Sequence, residues 1–125
     1  MNAPEARLGA SGLPVLLIAG ASGFMGRHLL DALKNDYRLI GIARRSQARS
    51  GAPVHPNIRW YQADIGDERM VAKVFDDIAA NGGADVCIHL AAHYDFTGDD
   101  HPEYERTNVQ GTRHVLDACR RLGTI

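Results

Sequence analysis

The sequence of 125 residues lacks several features that mark whole classes of protein. No apolar run is long enough to cross a bilayer, so we expect no membrane partner. The 14 Lys and Arg against 15 Asp and Glu leave a formal charge of -1, which argues against a nucleic-acid partner. The start of the chain lacks the basic flank and apolar core of a signal peptide. We therefore expect residues 1–12 to be a flexible leader and the protein to be cytoplasmic.

Cysteine and metal-ligand patterns are equally scarce. The two cysteines, Cys87 and Cys119, stand at no spacing typical of a zinc or redox motif, and we interpret them as buried reduced thiols. The six histidines are scattered, so no metal site is expected. With 45% hydrophobic residues, the composition is that of a globular protein, and the length allows one domain at most.

The sequence does contain an alternation of strand and helix patterns. Apolar runs predict strands at 13–19, 37–43, 58–61 and 85–92. Helical spacing of apolar residues predicts helices at 24–34, from a cap at Asp67 to a stop at 81–83, and at 102–122. The polar stretch 44–57, which contains one glycine and two prolines, predicts a loop.

A glycine-rich turn joins the first predicted strand to the first predicted helix. It consists of Gly20, Ala21, Ser22, Gly23, Phe24, Met25 and Gly26. A helix N-terminus presents unpaired N–H groups that favour a pyrophosphate. In such a turn Gly20 takes a backbone angle closed to other residues, Gly23 admits the phosphates, and Gly26 lets the helix pack on the strand. The turn predicts a dinucleotide coenzyme as partner, the alternative being a tight turn without a ligand.

Together these patterns predict an α/β fold. We expect a partial Rossmann (doubly wound) parallel sheet with strand order 3-2-1-4 over residues 13–125. The chain stops where a fifth strand would begin, so the NAD(P)-binding domain is expected to be incomplete, truncated before strand five. The edge of the fourth strand would then be open to self-association.

The end of the second strand bears on the identity of the coenzyme. An acidic residue there normally accepts the ribose 2′-hydroxyl of NAD, but this sequence has Arg44 and Arg45, followed by Ser46. Two guanidinium groups suit a 2′-phosphate, which a carboxylate would repel. We therefore predict NADP, with NAD as the alternative. Alternatively, both arginines are solvated loop residues that contact no coenzyme.

Two further segments at strand ends are candidate coenzyme contacts. Asp64 and Ile65 follow the third strand, where adenine would lie. Asp64 either accepts a hydrogen bond from the adenine amino group or serves as a turn or cap residue. Leu90, Ala91 and Ala92 close the fourth strand, and the two small alanines leave room for the ribose and nicotinamide. Sheet packing alone would explain Leu90 but not the alanine pair.

Four segments, in this order, resemble the extended short-chain dehydrogenase/reductase family, the NAD-dependent epimerase/dehydratase group. They are the turn at 20–26, the pair at 64–65, His89-Leu-Ala-Ala92 and Asn108-Val-Gln-Gly-Thr112, and the likeness covers 13–125. The resemblance implies that the turn binds pyrophosphate and that 89–92 lines the coenzyme. It also implies that Asn108 is structural or supports the site.

Catalysis in that family uses a Ser or Thr after strand five and a Tyr-x-x-x-Lys segment. None of the four tyrosines here is followed by lysine four positions later, so no catalytic residue is assigned. The resemblance implies the coenzyme-binding half of an oxidoreductase, epimerase or dehydratase acting on a small-molecule substrate, without turnover by this segment alone. The alternative is a non-catalytic NADP-binding sensor module.

Overall fold

The computed structural model describes residues 12–94 and 97–125, so the expected leader lies almost wholly outside the described residues. One sheet contains β1 (Val15–Ala19), β2 (Arg38–Ala43), β3 (Ile58–Gln62) and β4 (Val86–His89). The helices are α1 (Phe24–Leu33), α2 (Gln47–Ser50), α3 (Glu68–Ala80) and α4 (Thr112–Leu122), with a π-helical segment at Tyr104–Gly111 before α4. All strand pairs are parallel in the order β3-β2-β1-β4, which confirms the predicted sheet.

β1 lies at the centre of the sheet because all of its residues are apolar. It is buried along its whole length and pairs with β2 on one side and β4 on the other. Leu17 and Ala19 face a core shared with α3 and α4, whereas Leu16 and Ile18 face a core shared with α1. A strand that is apolar on both faces needs a helix layer on each face. The result is a three-layer α/β/α arrangement.

The predicted helix cap at Asp67 is present. Its Oδ1 accepts hydrogen bonds from the N–H groups of Arg69 at 3.0 Å and Met70 at 3.2 Å, which satisfies two of the unpaired donors at the start of α3. Val71 and Ile78 lie on the buried face of the helix. This apolar face packs α3 against the sheet. The loop between β3 and α3 lies at the carboxyl edge of the strands.

Two departures from the sequence prediction are larger than the shifts of one or two residues at the ends of other elements. The expected loop contains α2, which begins with Ser46 Oγ accepting the Arg49 N–H and ends at Gly51 with φ +72°. A single helical turn is too short to show the helical spacing of apolar residues in the sequence. β4 ends at His89 rather than at 92, because β1 stops at Ala19 and offers no further partner after its carbonyl accepts the Leu90 N–H at 2.7 Å.

The outer edge of β4 is partly occupied by the chain itself. The Cys87 N–H donates to Ile125 O at 2.6 Å, and the Ile125 N–H donates to Asp85 O at 3.1 Å. Thr124 Oγ1 also donates to Ala84 O at 2.8 Å. At this end of β4 the last residues of the chain therefore pair as the start of a fifth parallel strand would. Self-association through the edge stays a prediction.

Candidate functional site

The glycine-rich turn follows β1 at the carboxyl edge of the sheet, and two of its glycines are required by the fold. Gly20 has φ +89°, and a Cβ there would lie 2.5 Å from Ala91 N. A Cβ on Gly26 would lie 2.8 Å from Ala21 Cα, so α1 packs directly on the turn. Both positions therefore exclude any side chain.

Gly23 is different because the chain itself leaves it space. Its φ of -76° and ψ of 175° are open to any residue, and the nearest atom to an added Cβ is Gly20 O at 3.5 Å. Gly23 is the N-cap of α1, whose first turn carries no acidic residue. The first N–H groups of α1 are thus presented beside an open surface that favours an anion.

A cleft of about 270 Å³ opens between β1, β2 and β4 at this edge, where the strand order reverses direction. Such switch points are the usual ligand sites of parallel α/β sheets. The lining residues come from the turn, the strand ends and the π-helical segment: Gly20, Ser22, Gly23, Ile42, Ala43, Arg44, Arg45, Ala63, Ile65, Leu90, Ala91, Ala92, His93 and Thr107.

Nine of the residues singled out in the sequence meet in this cleft, and four do not. The nine are Gly20, Ser22, Gly23, Arg44, Arg45, Ile65, Leu90, Ala91 and Ala92. Gly26 is buried on the face of α1 that packs against the turn, and Phe24 and Met25 are exposed, by 71% and 61% respectively. Asp64 lies in an adjoining hollow of about 280 Å³ with Arg44, Gln62, Ala63 and Met70.

Sequence reasoning missed five lining residues. Ile42, Ala43 and Ala63 end β2 or follow β3, so the rule that ligands bind at the carboxyl ends of strands would have found them. His93 and Thr107 belong to segments whose approach to the cleft depends on long-range packing, and no local signal marks them.

Polar side chains of β3 fix the backbone of the two arginines after β2. Trp60 Nε1 donates to Arg45 O at 3.0 Å, and Gln62 Nε2 donates to Arg44 O at 3.0 Å. Arg45 Nη2 donates to Ser22 O at 2.9 Å, which ties this guanidinium to the glycine-rich turn. The Arg44 side chain is 61% exposed and reaches toward Glu103, with Nη1 3.8 Å from Oε1.

The Asp64 carboxylate is held by two donors. Its Oδ1 accepts the Gly66 N–H at 2.9 Å, and its Oδ2 accepts Arg106 Nη2 at 2.8 Å. Partial burial raises the pKa of Asp64, but the hydrogen bonds from Arg106 and Gly66 outweigh it and hold the pKa below its ordinary value. Asp64 is therefore ionised at neutral pH.

Asn108 joins the end of β4 to the π-helical segment. Its Oδ1 accepts the His93 N–H at 2.6 Å, and its Nδ2 donates to His93 O at 2.9 Å. One turn further on, Thr112 Oγ1 lies 2.9 Å from His89 Nε2, and burial lowers the pKa of His89, so its imidazole is neutral at neutral pH. Both contacts hold the backbone of 89–93 in place as one wall of the cleft.

Two kinds of feature are absent from the part of the chain that the structure describes. Among residues 12–94 and 97–125, no helix is long and apolar enough to cross a bilayer. The same residues contain no group of three or more His, Cys, Asp or Glu side chains placed to hold a metal ion.

The sheet order and the glycine-rich turn at its switch point define a Rossmann-type α/β protein. The chain belongs to the NAD dependent epimerase/dehydratase family, whose model matches residues 16–125. This confirms the family resemblance of the four sequence segments. The low-salt glycan biosynthesis protein Agl12 of Haloferax volcanii is 35% identical over an alignment of 115 residues that covers 83% of this chain. The chain spans only 34% of that relative.

Solved structures show the same fold. The enzyme WbmG of Bordetella bronchiseptica, in complex with NAD, has a TM-score of 0.76 at 24% identity, covering 90% of this chain and 35% of that one. A variant of ElxO with NADPH bound has a TM-score of 0.72 at 24% identity, covering 87% of this chain and 50% of that one.

Proposed function

We propose that the chain is the coenzyme-binding part of an NAD(P)-dependent oxidoreductase, epimerase or dehydratase of the extended short-chain dehydrogenase type. The observation that carries this proposal is the open front of the glycine-rich turn. Gly20 and Gly26 are glycine because the protein's own atoms exclude a side chain, but nothing of this kind constrains Gly23. A glycine there is explained by a ligand that approaches the backbone. The structures of WbmG with NAD and of ElxO with NADPH support the choice of a dinucleotide.

The pyrophosphate is placed against the turn at the N-terminus of α1. The helix dipole and the N–H groups of its first turn favour this charge, and the absence of acidic residues there removes a source of repulsion. The nicotinamide end then extends along Leu90, Ala91 and Ala92 on the β4 side of the cleft. The coenzyme supplies hydride transfer when bound, and these residues bind and orient it.

The adenine end is placed in the hollow beside β3. Arg44, Ala63 and Asp64 are among the residues that line this hollow. Each carboxylate oxygen of Asp64 accepts one hydrogen bond from the protein and keeps acceptor capacity for another. Asp64 therefore retains the capacity to accept a hydrogen bond from the adenine amino group while Arg106 holds it.

We propose NADP rather than NAD as the preferred coenzyme. Arg44 and Arg45 follow β2 at the position that faces the ribose, and their backbones are fixed by β3. The Arg45 guanidinium donates a hydrogen bond to Ser22 O in the glycine-rich turn. A 2′-phosphate on the ribose would therefore lie between the Arg44 and Arg45 cations. No carboxylate in the segment after β2 opposes this charge. NAD is the alternative.

The described segment contributes binding rather than proton transfer. No tyrosine of the chain starts a Tyr-x-x-x-Lys segment, so we assign no catalytic residue. The reaction and the small-molecule substrate are proposed for the whole protein, of which this chain supplies the coenzyme half.

Calorimetric titration with NADPH and NADH tests both parts of the proposal. We expect binding of both coenzymes, with NADPH tighter. The Arg44→Asp variant should bind NADPH at least about tenfold more weakly and NADH slightly better, because a charge-assisted contact to the phosphate is replaced by repulsion. Arg49→Asp, an exposed change of the same charge in α2, is the matched control and should leave the ratio unchanged. An unchanged ratio in Arg44→Asp would refute the clamp, and no binding would refute the coenzyme site.

A further inference from the structure

We propose that Glu103 competes with the coenzyme's 2′-phosphate for Arg44 and thereby moderates the preference for NADP. This inference rests on the proposed function, because it concerns the coenzyme placed in the cleft. The end of β2 lacks an acidic residue in the sequence, but the fold brings a carboxylate to it from the segment that precedes the π-helical turn. Glu103 Oε1 lies 3.8 Å from Arg44 Nη1.

Glu103 is held rigidly in this position by Arg106. Arg106 Nε donates to Oε2 at 2.5 Å and Nη2 donates to Oε1 at 2.6 Å, so the two planar groups pair in a fork. The Arg106 Nη2 also donates to Asp64 Oδ2 at 2.8 Å. The Glu103 carboxylate is therefore part of a network that ends at the proposed adenine position, and its side chain is only 18% exposed.

This carboxylate is charged whenever coenzyme binds. The hydrogen bonds from Arg106 lower the pKa of Glu103 to about 2, and the nearby Arg44 acts in the same direction. The charge thus stands beside the proposed ribose position throughout the neutral range. Arg44, in contrast, is mostly exposed and free to turn toward a bound phosphate.

The consequence differs for the two coenzymes. A 2′-phosphate must draw Arg44 away from Glu103 and must also lie near the carboxylate's negative charge, so both effects weaken NADPH binding. The 2′-hydroxyl of NADH carries no charge and meets neither penalty. Arg45 does not replace Arg44 as a partner of Glu103, because its guanidinium is hydrogen-bonded to Ser22 O in the turn. Glu103 is thus a specificity-determining residue supplied from outside the β2 segment.

Glu103→Gln tests the inference because it removes the charge while keeping an oxygen for Arg106. We expect NADPH to bind about three- to tenfold more tightly in 50 mM salt, from one unit charge at several ångströms in a partly solvated site. NADH affinity should not change. The gain should shrink in 0.5 M salt, where charges several ångströms apart are screened. Glu105→Gln removes the same charge two positions away, where the side chain pairs with Gln110, and should leave the NADPH/NADH ratio as it is.

The outcomes separate the inference from the function on which it rests. Equal or weaker NADPH binding by Glu103→Gln, with NADH affinity retained, would overturn the inference, and weaker binding would indicate that Glu103 positions Arg44. An equal gain in Glu105→Gln would also overturn it, because the effect would then be one of net charge. Failure of the unchanged chain to bind either coenzyme would refute the proposed function instead. If Glu103→Gln loses NADH binding as well, Glu103→Asp is the second variant, because its shorter side chain withdraws the carboxylate from Arg44 while keeping the charge. The absence of any gain in NADPH affinity in Glu103→Asp would overturn the inference.

Discussion

Replacement of Gly23 by valine distinguishes a glycine needed by a ligand from a glycine needed by the fold. The backbone at Gly23 is extended, with φ -76°, and an added Cβ meets only Gly20 O at 3.5 Å. We therefore expect Gly23→Val to fold. The valine side chain would instead fill the space in front of the α1 N-terminus, where the pyrophosphate is proposed to lie.

Gly23→Val should have a small effect on stability and a large effect on coenzyme affinity. Loss of a favourable N-cap residue costs up to about 1 kcal/mol of helix stability, so the free energy of unfolding should fall only modestly. Displaced phosphate oxygens would lose charge-assisted hydrogen bonds worth about 1.5–3 kcal/mol each. Loss of two such contacts is equivalent to about a hundredfold or more in coenzyme affinity.

Gly20→Val serves as the structural comparison. With φ +89° and Ala91 N only 2.5 Å from an added Cβ, this change forces a left-handed strain of about 1–2 kcal/mol and a backbone clash. Thermal unfolding followed by circular dichroism, together with NADPH titration, separates the two variants. Near-normal stability with lost affinity in Gly23→Val supports the account. NADPH affinity within threefold of the unchanged chain, or unfolding as severe as in Gly20→Val, would refute it.

Two further predictions concern the wall of the cleft and its charges. Asn108→Ala should lower the free energy of unfolding in urea by about 1–3 kcal/mol, because the two hydrogen bonds between Asn108 and the His93 backbone are lost. Gln110→Ala, which breaks one surface contact with Glu105, is the control, and equal unfolding midpoints for the two variants would contradict the role of Asn108. The lowered pKa of Glu103, about 2 against an ordinary 4.5, means that its ionic contacts stabilise the fold above pH 4.5 and are lost as the pH falls toward 2. The melting temperature should therefore decline over this interval, less steeply in Glu103→Gln, and identical profiles would disprove the contribution.

Most of the fold was predictable because it depends on local patterns. The unbroken apolar run of β1 requires helices on both faces, and the turn at 20–26 places a glycine at each point where the backbone crowds. These two features lead to the strand order and to the cleft. The end of β4 was less predictable, since its last ladder bond depends on where β1 stops rather than on the small side chains of Ala91 and Ala92.

The parts of the site that escaped prediction depend on contacts between distant segments. Arg106 forms a hydrogen bond with Asp64, which lies 42 positions away in the sequence, and no local sequence pattern predicts this ion pair. Glu103 meets Arg44 for the same reason. The π-helical segment at Tyr104–Gly111 brings Asn108 to His93, and in sequence it is indistinguishable from an ordinary helix start.

Assignment of the amide signals of the chain, followed by titration with NADPH in a two-dimensional NMR experiment, tests the proposed coenzyme site most directly. The account predicts that the largest shifts fall on the amides of 20–26 and on Ala91 and Ala92, with smaller shifts after β2 at Arg44 and Arg45. Titration with NADH should move the first group and largely spare the arginines. Shifts confined to the opposite edge of the sheet, or no saturable shifts at millimolar coenzyme, would contradict it.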